Sequence, residues 1–155
     1  MITSLFKKST PINFAFVFLM LLFFFLTTQF HQVGTVFSFG LLAKKAMLFI
    51  LIFACFFIGN FIIKKNGLSK DSAFMILFYL LLLLFFPSVM NNSKLFLANF
   101  FILLALRRLF SLQSSKSQKE KIFDASLWVF VASLFHFWSI LFLILVFISI
   151  LFHAA

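Results

Sequence analysis

Between residues 46 and 63 the chain runs for 18 residues without one charged side chain, and a lysine pair, Lys64 and Lys65, closes the stretch. The pattern recurs along the sequence as an apolar block followed by a short polar stop carrying Lys or Arg. As a helix such a block covers about 27 Å, close to the ~30 Å hydrocarbon thickness of a bilayer. Lipid offers backbone amides no hydrogen-bond partner, so a block of this kind satisfies its own backbone as a helix. A barrel would need segments of about ten residues that alternate in polarity, and these blocks do not alternate. Hydrophobic residues make up 65% of the chain and charged residues 10%, with a mean hydropathy of +1.21. An ordinary soluble domain has roughly 45–50% apolar and about 25% charged residues. The composition therefore excludes a soluble globular enzyme, a disordered tail and a secreted disulfide scaffold. The expected fold class is all-α, a polytopic transmembrane helical bundle forming a single integral membrane domain over residues 1–155.

Five spans are expected, over residues 12–28, 46–63, 73–90, 95–109 and 125–153. Before the first lies a basic leader with Lys7 and Lys8, then Thr10 as a cap and Pro11 in the first turn, where a missing N–H is harmless. Thr27, Thr28, Gln29, His31 and Gln32 follow the first block in place of a small-residue cleavage site, so it reads as a retained span rather than a signal peptide. Residues 33–45, with Gly34 and Gly40, are too short to cross and too apolar for free solution, and an interfacial segment is expected there. Asn66-Gly67 marks a turn after the second span. The fourth block has an apolar centre, residues 95–106, of about 18 Å as a helix. Either Lys94, Arg107 and Arg108 snorkel and lengthen it, or the third and fourth blocks form a re-entrant hairpin. Residues 110–121 read as a polar, flexible loop. The last block would measure about 43 Å as one helix, so a split near His136, giving six spans, is the alternative.

The formal net charge is +10, from 13 Lys+Arg against Asp71, Glu120 and Asp124. On a soluble domain that excess would suggest nucleic acid. Here it sits in short loops between apolar blocks, the pattern of a chain held at an anionic cytoplasmic leaflet. A cytoplasmic N-terminus places ten basic residues inside: Lys7, Lys8, Lys64, Lys65, Lys70, Arg107, Arg108, Lys116, Lys119 and Lys121. Only Lys44, Lys45 and Lys94 are left outside. The expected location is the bacterial inner (cytoplasmic) membrane. The expected partners are membrane lipids and other membrane-protein subunits, with no nucleic acid and no metal. The 30 phenylalanines read as lipid-facing filler.

Polar groups inside spans are the natural candidates for function, because lipid penalises them unless they face a partner or water. On a continuous helix Ser126, Ser133 and His136 fall within about 80° of one another and form a polar stripe pointing into a bundle. Such a stripe would contact a polar headgroup or handle a proton, or simply join two helices. Asn99, in the fourth span, and Asn60, near the end of the second, read as interhelical hydrogen-bond groups. Cys55-x3-Gly59 has a small-x3-small spacing that permits close helix approach. Arg107, Arg108, Lys64 and Lys65 read as topology anchors able to grip a lipid phosphate. All three carboxylates fall in expected inner loops, and the three histidines lie far apart. Neither a phosphate-cradling glycine loop nor a nucleophile elbow occurs. No catalytic residue, no metal site and no cofactor is therefore expected.

The opening Met1-Ile-Thr-Ser-Leu-Phe-Lys-Lys-Ser-Thr-Pro-Ile-Asn13, the segment LALRRL at 104–109, Ile122-Phe-Asp-Ala-Ser126 and Val131-Ala-Ser-Leu-Phe-His-Phe-Trp-Ser139 resemble an uncharacterised family of polytopic inner-membrane proteins from Bacteroidetes. Its members are longer chains, so the resemblance implies an N-terminal portion of a longer protein and brings no activity with it. The segment Ala132-Ser-Leu-Phe-His136-x-x-Ser139-x-Leu141 is also similar to a helix-break motif in membrane proteins of the exopolysaccharide and O-antigen polymerase type. Those proteins carry an arginine upstream of an alanine within the preceding helix, whereas Arg107 and Arg108 stand at a helix end. The leading expectation is a non-catalytic component or scaffold of a cell-envelope assembly. Part of a lipid-linked glycan polymerase or glycosyltransferase is the alternative. A small-solute transporter is the second alternative, and for that class no paired inverted repeat is visible.

Overall fold

The computed structural model describes residues 11–30, 39–68, 73–113 and 117–153. The leader with Lys7 and Lys8, and also His31, Lys70, Asp71 and Lys116, lie outside the described residues. Helix α1, Pro11–Phe30, starts on its proline, whose missing N–H belongs to the turn that has no acceptor anyway. Helix α2, Phe39–Lys65, closes on Gly67. There the Leu68 N–H donates to the Ile63 carbonyl at 3.1 Å and the Gly67 N–H to the Lys64 carbonyl at 3.3 Å. That pair of bonds requires a left-handed residue, and Gly67 has φ +63° without steric penalty. Helix α3, Phe74–Phe85, stops because Pro87 pushes Phe86 out of the helical region, to φ −123° and ψ 66°. A 3-10 turn, Pro87–Asn91, follows.

Helix α4, Ser93–Phe110, is capped by Asn92, whose side-chain oxygen accepts from the Leu95 N–H at 3.3 Å. Arg107 and Arg108 occupy its last turn, where positive charge complements the helix dipole. A short 3-10 turn, Ser111–Gln113, leads toward α5, Gln118–Phe135, which carries Glu120 in its first turn. Lys121 Nζ donates to the Ser111 carbonyl at 2.9 Å and so ties the start of α5 to the end of α4. Beyond His136 come a 3-10 stretch, Phe137–Phe142, and α6, Leu143–His153.

Side-chain pairs fix the direction of each helix. Helices α1 and α2 are antiparallel, with the rings of Phe14 and Phe56, Phe18 and Phe53, and Phe25 and Phe49 in contact. Tyr79 of α3 donates its hydroxyl to the Ile52 carbonyl at 3.2 Å, and Met75 lies against Gly59 one turn and more further along, so α3 is antiparallel to α2. Helix α4 runs parallel to α2, since Cys55 meets Phe96 near one end and Phe61 meets Arg107 near the other. Helices α4 and α5 are antiparallel, joined by Arg108–Asp124 and by Phe101 stacked on both Trp128 and Phe135. Val146 of α6 is buried in one cluster with Ala105, Leu109, Leu112, Ala125 and Val129, so the chain doubles back after His136. A second cluster, built on Val17, Leu21, Ile52, Cys55, Ile76 and Leu80, holds α1, α2 and α3 together. Among the described residues the fold is all-α, an up-and-down helical bundle.

Large apolar side chains also cover the outside of this bundle, among them Phe23, Ile50, Phe78, Phe130, Phe147 and Phe152. Three segments, Pro11–Gln29, Phe39–Lys65 and Ser93–Gln113, are long and apolar enough to cross a membrane, and Phe74–Phe85 and Phe137–Phe152 are shorter apolar helices. These features mark a membrane-associated protein.

Several expected boundaries move. Residues 39–45 of the expected interfacial connector belong to α2, while 33–38 lie outside the described residues. The third block, expected over 73–90, is interrupted: α3 contributes about 18 Å and the 3-10 turn about 10 Å more. The fourth block is longer than its apolar centre, because helix continues through Arg107 and Arg108 to Phe110. Within the expected loop 110–121, residues 111–113 form a 3-10 turn and α5 begins at Gln118, while 114–116 lie outside the described residues. Glu120 and Asp124 therefore stand on α5 rather than in a loop. Within the block 125–153 the helix breaks at His136, between α5 and the 3-10 stretch Phe137–Phe142.

Candidate functional site

Polar groups in the middle of the bundle meet one another. The Cys55 thiol donates to the Phe96 carbonyl at 3.7 Å, and the Asn99 side chain lies beside the same sulfur. Cys55 is 0% exposed, and Tyr79 bonds the Ile52 carbonyl one turn away on α2. Asn99, expected as an interhelical group, thus reaches from α4 to α2. Gly59 takes the other half of the small-x3-small pattern, because the Met75 side chain occupies the place of a Cβ there. The pattern therefore joins α2 to two helices, to α4 through Cys55 and to α3 through Gly59.

The expected stripe of Ser126, Ser133 and His136 does not form, because the helix it needed ends at Phe135. Each serine hydroxyl donates to its own helix, Ser126 to the Phe123 carbonyl at 2.8 Å and Ser133 to the Phe130 carbonyl at 2.6 Å. His136 adopts an extended backbone, with its N–H bonded to the Ala132 carbonyl and its carbonyl accepting from the Ser139 N–H. Its side chain is exposed, and Ser139 is buried instead.

At the end of the bundle where α1 finishes, Gln29 is 8% exposed and donates from Nε2 to Asn91 Oδ1 at 2.7 Å. Lys45 Nζ donates to the Gln29 backbone carbonyl at 3.3 Å, and the Thr28 hydroxyl lies 3.9 Å from the Met90 sulfur. This tie between α1, α2 and the Pro87–Asn91 turn was not legible from spacing, since its members are far apart in sequence.

The opposite end gathers Lys64, Lys65, Arg107, Arg108, Lys119 and Lys121 with Glu120 and Asp124. Arg108 Nη2 pairs with Asp124 Oδ2 at 3.0 Å, both side chains being well exposed. Such surface pairs contribute about 0–1 kcal/mol. Lys64 Nζ lies 5.0 Å from the centre of the Phe14 ring. Lys65 Nζ and Arg107 Cζ lie 5.6 Å and 5.4 Å from the centre of one ring, that of Phe61. Each ring contact contributes about 0.5–1 kcal/mol at an exposed site. The two charges are no more than about 11 Å apart, and at an effective dielectric of about 20 they repel by at least about 1.5 kcal/mol. Ring attraction is therefore not enough to account for the pairing, and the packing of α2 on α4 is what brings the two cations together. Phe61 escaped sequence reasoning because one more phenylalanine among 30 carries no signal.

Among the described residues no three His, Cys, Asp or Glu side chains gather as metal ligands would. Comparison of the chain with protein-family models, with curated proteins and with solved structures finds no match. Fold and site together define a class: a membrane-associated all-α bundle with a buried polar junction between its helices and a basic, ring-lined end.

Proposed function

We propose that the chain is a multi-pass protein of the bacterial inner membrane, with its N-terminus in the cytoplasm, and that it serves as a non-catalytic component or scaffold of a cell-envelope assembly. The observation that carries this reading is the use of the mid-bundle polar groups: Cys55 and Tyr79 bond across helices, and Asn99 of α4 sits beside Cys55 of α2. Ser126 and Ser133 bond their own helix. Groups bonded across helices hold them in register, and the two serine hydroxyls are occupied by their own backbone. The orientation draws support from the basic cluster at the end where α2 and α4 finish and α5 begins. Complementation tests the reading. In a strain whose envelope phenotype depends on this chain, Asn99→Leu, Ser126→Ala, Ser133→Ala and His136→Ala should each restore growth in proportion to membrane abundance. One variant that is abundant yet inactive would replace the scaffold with a substrate-handling protein.

A specific observation favours a second reading, part of a lipid-linked glycan polymerase or glycosyltransferase. The helix breaks at His136 and leaves the imidazole exposed beside the turn, which is where the resemblance to polysaccharide-polymerising proteins falls. Loss of lipid-linked glycan turnover in His136→Ala at unchanged abundance would establish it.

A further inference from the structure

We propose that Lys65 and Arg107, on either side of contact between α2 and α4, bind the phosphate of an anionic phospholipid headgroup. The two cations come from different helices and share the Phe61 ring at 5.6 Å and 5.4 Å. Both are exposed, and among the described residues neither has a carboxylate within ion-pair distance, whereas neighbouring Arg108 is neutralised by Asp124. Two like charges brought to one ring by the fold create a local positive potential that a phosphate group relieves. Lys64, stacked on Phe14 of α1, extends the positive field along the same end of the bundle.

The ligand is a lipid rather than a free anion because of what lies beside the charges. Phe61 and Phe57 are exposed on the same helix, one turn apart, and supply an apolar wall running away from the cations along α2. A phosphate bearing acyl chains fits both halves of that surface, charge at the end and hydrocarbon along the helix, as in basic pockets between transmembrane helices that take anionic headgroups. The assignment rests on the membrane reading above.

The test uses the full chain purified in a mild neutral detergent, with phosphatidylglycerol, phosphatidylcholine and sodium phosphate as separate probes. Native mass spectrometry should find phosphatidylglycerol retained over phosphatidylcholine, and retention should weaken about tenfold or more in the Lys65→Gln/Arg107→Gln double variant. Arg108→Gln should retain the lipid, because that side chain already has a partner. Equal retention by the double variant overturns the site. So does a melting temperature raised as much by sodium phosphate as by phosphatidylglycerol, which would make it a free-anion site. On the unaltered chain, retention should fall as salt rises from roughly 50 to 500 mM, where screening becomes strong; retention independent of salt also overturns the proposal. Carbonate extraction of the same membranes separates the two readings. A chain released by carbonate loses the membrane reading, and one that resists carbonate but shows no lipid preference loses only the headgroup site.

Discussion

At Gly59 an added Cβ would sit 2.5 Å from the Met75 methyl carbon, whereas at Gly40 it would meet nothing within 4 Å. That methyl is the far end of a flexible side chain and can swing aside for a lone Cβ. A branched leucine must displace more of Met75, and overpacking of that kind costs about 1–3 kcal/mol. Gly59→Leu is therefore expected to lower the thermal unfolding midpoint in detergent, with Gly40→Leu close to the unaltered chain. An equal response at both positions would mean that α3 does not lie on α2 at that point. Cys55 offers a second measurement at this scale, because it is the one cysteine of the chain and is fully buried. Maleimide should leave it unlabelled in the folded protein and label it fully in denaturing detergent. Rapid labelling in the folded state would open the α2–α4 junction. The sequence suggested packing roles for Cys55, Gly59 and Asn99, but it did not show their partners, since periodicity reports a face of a helix and not what lies across from it.

At the scale of elements, the reversal at His136 is the feature with the most structural consequence. Phe123 and Phe147 are both exposed, at 65% and 66%, so each can carry a spin label without disturbing the core. On one straight helix they would stand about 36 Å apart. With Val146 packed among Ala125, Val129 and Leu109, the labels should be far closer in double-resonance distance measurements. A distance near the straight-helix value would dissolve the α5–α6 hairpin. Local chemistry gave part of these boundaries: Pro11, Gly67, Pro87 and Asn92 all act where their backbone or capping preferences require. His136 is different. Neither Pro nor Gly stands there, and only the excessive length of the block hinted at a break. The early start of α5 was hidden for a similar reason, because Lys121 ties back to Ser111 across a loop that composition alone reads as solvated.

For the whole molecule, the two ends of the bundle make the sharpest contrast. Lys64, Lys65, Arg107, Arg108, Lys119 and Lys121 share one end, and Lys45 and Lys94 belong to the other. With Cys55 replaced by Ala, a cysteine introduced at Ser117 should be reached by a thiol reagent only from the cytoplasmic side, and one at Asn92 only from the periplasmic side. The reverse pattern would invert the proposed topology. Helix content itself followed from the pattern: long apolar blocks that do not alternate in polarity satisfy their amides in hydrocarbon as helices rather than as a barrel, and that constraint acts within each segment.

What the sequence determined by itself, then, is everything that local solvation dictates: helical blocks, their approximate lengths, and the lysines and arginines that end them. What only the tertiary structure decided is which of those blocks touch, because contact between helices depends on shape fitted across long stretches of chain. The fold-back after His136 brings Val146 into one packed cluster with Ala105, Leu109, Ala125 and Val129, a fit of shape, since lipid gives helices no hydrophobic drive to associate. Lys65 and Arg107 meet on the Phe61 ring for the same reason, since no spacing rule links two residues on different helices until α2 and α4 pack.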